Sequence, residues 1–159
     1  MNINIIGVGK IREKYVEKGI DDFVERLKHY CDLNLIEVDG EKVPKNPSGA
    51  QIQQVKAEEG RRILEKIPER DYIIALSVKG KPMTSEGLAK SLQNLQNRSI
   101  SSISFLVGGA LGLSEEVMEE ADYTLSLSHM TFTHQMIRLI LLEQIYRAFK
   151  IMKGEPYHK

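Results

Sequence analysis

A chain of 159 residues with 22 basic and 22 acidic side chains is long enough to bury a core without disulfide or metal staples. Its balanced charge excludes holding nucleic acid by blanket phosphate neutralisation, so any such contact must run through a local patch. The lone Cys31 cannot form an internal bridge and suits a reducing compartment, no export signal opens the chain, and no apolar run reaches the ~20 residues that span a bilayer. The sequence therefore reads as one cytoplasmic domain over residues 1–159, with no linker or internal repeat.

Short apolar runs alternate with longer amphipathic ones, which predicts an α/β fold with a mostly parallel sheet covered by helices. "INIIGV" at 3–8 reads as a buried strand. The stretch 12–31 reads as a helix that turns Tyr15, Ile20, Phe23, Val24 and Leu27 inward, and "LNLIEVD" at 33–39 as the second strand. A loop rich in proline and glycine follows at 40–51, then a helix at about 51–66 and a strand at 72–78. A helix at 84–97, a strand at 102–109, a short helix at 114–120, a strand at 123–128 and a long last helix at about 132–150 complete the order.

That last helix is apolar at six of the seven positions from Met136 to Leu142, Arg138 being the exception. A helix apolar nearly all round must be covered on both sides. The sheet covers one; a second copy of the chain, making a homodimer, or flanking helices of the same subunit cover the other.

Two glycine-rich stretches invite a nucleotide-site reading and fail it. "GVGKIR" at 7–12 puts Arg12 where a dinucleotide fingerprint needs its third glycine, and "GGALGLS" at 108–114 lacks the Lys-Ser/Thr ending of a P-loop. What remains at 108–114 is a bend where backbone can approach a ligand without side chains in the way. The four histidines form neither a helical i,i+4 pair nor a Cys/His cluster, so no metal is expected, and no G-x-S-x-G elbow marks a serine hydrolase. Charge is uneven: 113–122 holds five acidic residues and no basic one, whereas Arg138, Arg147, Lys150, Lys153 and Lys159 enrich the end. The terminal "GEPYHK" delivers a phenol, an imidazole and an ammonium on a proline-stiffened turn.

Three stretches read together are specific: "SFLVGGALGLS" (104–114), "LSLSHMTFTHQMIRLILLEQIYRAFKI" (125–151) and "GEPYHK" (154–159). In that order and spacing the chain resembles the SPOUT methyltransferases over essentially its whole length, and among them the bacterial enzymes that act on pseudouridine in large-subunit rRNA. It departs at Thr133, where most relatives have proline before the last helix, and at Ala110 and Leu111 in the glycine bend. The resemblance implies a C-terminal trefoil knot, a homodimer, and S-adenosyl-L-methionine as cofactor. It further implies transfer of a methyl group to N3 of a pseudouridine in 23S rRNA of the assembled ribosome. Carried onto this chain, the cofactor would touch Leu76, Gly108, Leu127, Ser128, His129, Met130, Thr131 and Phe132.

Plain core packing explains Met130 and Phe132 as well as ligand contact does, and His129 could merely cap a turn. The ring nitrogen is a poor nucleophile while protonated, so a group must take its proton. His158 is the side chain best matched to proton traffic near neutrality, Tyr157 could meet the base, and Glu143 with Arg147 could hold the tail in register. An ordinary surface ion pair would equally explain Glu143 and Arg147. A competing class is a dimeric RNA-binding module without catalysis, and a tRNA substrate is the alternative within the enzyme class.

Overall fold

The computed structural model describes residues 1–157, so His158 and Lys159 lie outside the described residues. Ten elements run in the order β1 (Asn2–Val8), α1 (Lys14–Leu27), β2 (Asp32–Val38), α2 (Gly49–Leu64), β3 (Tyr72–Pro82), α3 (Ser85–Asn97), β4 (Ser102–Val107), α4 (Glu115–Glu120), β5 (Tyr123–Ser126) and α5 (His134–Met152). The five strands form one sheet in the order β2-β1-β4-β3-β5, and every pairing is parallel. Strands buried on both faces need near-continuous apolar runs, and β1 and β4 supply them. Ile3, Ile5, Ile103 and Phe105 face a core shared with α1, α3 and α5; Ile6, Val8, Ala75 and Leu106 face one shared with α2 and α4.

Side-chain oxygens close the starts of four helices. Ser48 forms a reciprocal capping box with Gln51, and Thr84, Ser114 and Thr133 each accept a backbone N–H three residues on. Thr133, the departure noted in the sequence, thus does the work of starting α5, accepting from the Met136 amide at 3.2 Å.

Two local expectations are corrected. Tyr15 is 63% exposed, and Val16 at 1% takes the inward position, because Val16, Ile20, Val24 and Leu27 follow the three-to-four-residue stripe whereas Tyr15 lies off it. The third strand runs to Pro82: Leu125 of β5 partners Leu76 and again Lys81, so the chain between them arches against β5. Gly80 makes this possible, since a Cβ there would fall 2.7 Å from the Leu125 carbonyl carbon.

Helix α5 lies between α1 and α3 with the sheet beneath it. None of its residues is exposed. Its apolar circumference is therefore met by flanking helices of the same chain, the second of the two arrangements that the sequence left open.

Candidate active site

The sheet order sets side by side the C-terminal ends of β4, β3 and β5, which are far apart in sequence. Gly108 follows β4, Leu76 lies within β3 at its register partner Leu125, and Leu127 to Phe132 follow β5. Neighbouring strands stand about 4.8 Å apart, so these three segments share one rim of the sheet. At Gly108 a Cβ would meet Gly112 and Leu113 backbone at 2.6–2.9 Å, and Gly112 has φ of +85°, a conformation that glycine adopts without strain. The bend closes on itself through a bridge between Gly109 and Gly112.

After β5 the Ser126 hydroxyl donates to the Ser128 carbonyl at 3.0 Å, and the Ser128 hydroxyl accepts from the Met130 amide at 3.0 Å. These bonds shape a tight turn that leaves His129 to Phe132 outside the core. Met130 is 75% exposed and Phe132 38%, so plain core packing does not account for either. The arrangement pairs side-chain-free backbone with uncovered apolar groups, the chemistry of a nucleoside-sized ligand site.

On one side of the same rim, the buried Arg138 guanidinium lies flat on Gly7, where a Cβ would fall 2.6 Å away, and donates to the Val8 and Gly9 carbonyls. Its one carboxylate neighbour, Glu37, stands at 3.5 Å. His134 at the start of α5 sits beside Gly9, and burial together with the Arg138 and Arg12 charges holds its imidazole below the usual histidine range. The basic cluster read from the linear sequence does not form on the surface: Arg138 is 5% exposed, Arg147 pairs with Glu143 at 2.7 Å, and Lys150 pairs with Glu155 at 2.5 Å. The helical repeat sends these cations to different faces, and two of them meet acids there.

Glu143, Arg147 and Tyr157 come together. The Tyr157 hydroxyl donates to Glu143 Oε1 at 3.1 Å, and the Arg147 guanidinium stands 4.8 Å from the centre of the Tyr157 ring, which also meets Tyr146 edge-on at 4.9 Å. Burial, with the Glu143 charge added, raises the Tyr157 phenol above its ordinary value. This cluster is not beside the glycine bend of its own chain. Glu143 lies nine residues along α5 from His134, about 13 Å at ~1.5 Å per residue.

Sequence reasoning passed over Glu59 of α2. It is 5% exposed, it accepts from the Glu41 amide at 3.0 Å through Oε1, and its Oε2 has no hydrogen-bond partner among the described residues. The available signal was its place in the stripe Val55, Glu59, Ile63, an acid at an inward i,i+4 position.

A family profile described as "Predicted SPOUT methyltransferase" matches residues 1–158. The chain belongs to the SPOUT methyltransferase family. It is 65% identical, over 100% of both chains, to "Ribosomal RNA large subunit methyltransferase H" of Halothermothrix orenii. Proteins of the same name from Clostridioides difficile and Alkaliphilus oremlandii are 56% and 55% identical, again over both full lengths. As a SPOUT methyltransferase the protein is an enzyme that uses a methyl-donor cofactor. Among the described residues no helix is long and apolar enough to cross a membrane.

Proposed function

We propose that the protein is a cytoplasmic, homodimeric methyltransferase that uses S-adenosyl-L-methionine to methylate N3 of a pseudouridine in 23S rRNA of the assembled ribosome. The observation that carries the cofactor assignment is the shared rim of Gly108, Leu76 and the segment Leu127 to Phe132, with Met130 and Phe132 bare of any cover. Adenine fits such a rim because its faces are apolar and its edge bonds to backbone, which the glycine bend exposes. Leu76, Leu127, Met130 and Phe132 would form the slot, and Gly108, Ser128, His129 and Thr131 would offer main chain to the adenosyl edge. When bound, the cofactor supplies an electrophilic methyl group on a sulfonium. The substrate assignment rests on the likeness to the rRNA methyltransferases over the full chain.

The chain's own residues must orient the base and move the ring proton. Tyr157, Glu143 and Arg147 form a preset cluster for this, with His158 next in sequence. Since that cluster stands well along α5 from the glycine bend, the tail serves the rim of the second copy in the dimer, not its own. Exposed Tyr15, Met130 and Phe132 are the apolar surface available to such a dimer.

The test is transfer of labelled methyl groups to ribosomes, isolated subunits and tRNA side by side, with calorimetry of donor binding. Transfer to ribosomes, lost on removal of residues 155–159 while donor affinity persists, supports the reading. Transfer to tRNA alone, or no donor binding by folded protein, overturns it.

A further inference from the structure

In open parallel sheets, ligands seat in the crevice outside the strand ends where neighbouring strands send their connections to opposite faces. Here that point lies between β1 and β4. The chain leaves β1 through α1, packed on the face of Ile3 and Ile5, and leaves β4 through α4, whose Val117 packs on the face of Ile6 and Val8. Gly7 is the register partner of Val107, so Gly7-Val8-Gly9 and Gly108-Gly109 line the two sides of the crevice. It is next to the rim assigned above to the methyl donor and is a separate place.

Glu59 lies under this crevice with an oxygen to spare. A Cβ on Gly109 would fall 2.9 Å from Glu59 Oε2 and 3.1 Å from Val8 Cγ1, and one on Gly40 would fall 3.6 Å from Glu59 Oε1. Oε1 already tethers the loop after β2 through the Glu41 amide. A residue needed only for that tether would not have to be a carboxylate, whose burial is costly when an oxygen is left unpaired. The charged groups facing it are Glu41 and Arg62. Arg62 spends its donors on Glu41, Glu58 and the Asp39 carbonyl and makes no hydrogen bond to Glu59.

We propose that the crevice between the ends of β1 and β4 seats the acceptor base, and that Glu59 Oε2 receives the ring N–H. The inference rests on the proposed function and names the proton acceptor for it. A uracil-type imide presents one N–H between two carbonyls, and an unpaired carboxylate oxygen is its complement. On transfer the N–H bond breaks, its electron pair stays on nitrogen, and the carboxylate becomes a carboxylic acid; the nitrogen is left as the nucleophile. Burial raises the Glu59 carboxyl above its ordinary range, which makes it a better base.

The test uses full-length Glu59→Gln, which keeps the shape and the acceptor for Glu41. Donor affinity by calorimetry stays unchanged, methyl transfer to ribosomes falls on the order of 100-fold or more, and the acidic limb of the pH-rate profile disappears. Glu59→Asp retains that limb at a reduced rate. An independent readout is thermal stability against pH. The fold holds the Glu59 proton over a range where the unfolded chain releases it, so wild-type stability declines as pH rises through that range, and Glu59→Gln lacks this part of the slope. Unaltered turnover and pH profile in Glu59→Gln overturn the inference alone. A wild-type enzyme that binds donor yet methylates no ribosomal RNA overturns the substrate reading and this inference with it.

Discussion

Substituting Gly108 by alanine probes the bend on which the donor site depends. The added Cβ would stand 2.6 Å from the Gly112 carbonyl carbon, 2.8 Å from the Leu113 nitrogen and 2.9 Å from the Gly112 oxygen. Overpacking costs about 1–3 kcal/mol. The upper part of that range applies, because all three obstructing atoms are backbone, whereas at Gly7 the obstruction is the Arg138 side chain. At ~2–4 °C per kcal/mol for a domain of this size, about 2–3 kcal/mol lowers the melting temperature by roughly 4–12 °C. Gly49→Ala is the matched control: nothing lies within 4 Å of its Cβ in the first turn of α2, and replacing glycine there gains about 0.4–1 kcal/mol. Thermal melts of the two variants should therefore move in opposite directions, and calorimetry of Gly108→Ala should show weakened donor binding. A Gly108→Ala protein that melts at or above wild type would refute the claim that the bend is held by backbone-to-backbone approach.

Met130→Ser and Phe132→Ser, both at exposed positions, should leave stability within about 0.5 kcal/mol of wild type. Each should weaken donor binding tenfold or more, since covering such a side chain is worth about 1.5–3 kcal/mol; a large fall in melting temperature with donor affinity intact would return them to the core. Burial pushes the Cys31 thiol up from 9.0 to about 11, so alkylation of the native protein at neutral pH should be slow and become fast in denaturant. The fold favours the protonated thiol, so its share of the stability is complete below 9.0 and is lost as pH climbs towards 11. Rapid labelling of the native protein would contradict the burial.

Several features follow from the sequence because they depend on neighbours along the chain. Apolar runs such as "INIIGV" suit strands buried on both faces, glycines at 108–112 allow backbone turns barred to other residues, and Thr133 can cap a helix whatever surrounds it. The motifs that mark the family lie in contiguous stretches and were legible for the same reason. Contacts between distant segments were not. Glu58 and Glu59 look alike in "KAEEG", yet one pairs with arginines at the surface while the other is buried beneath Gly109. Arg138 and Arg147 belong to one basic run, yet one holds the end of β1 and the other meets Glu143. Only the tertiary structure decided that Gly108, Leu76 and Leu127 share a rim while Tyr157 stands well away along α5, because strand order and the burial of charge depend on which distant surfaces meet, and no local pattern encodes that.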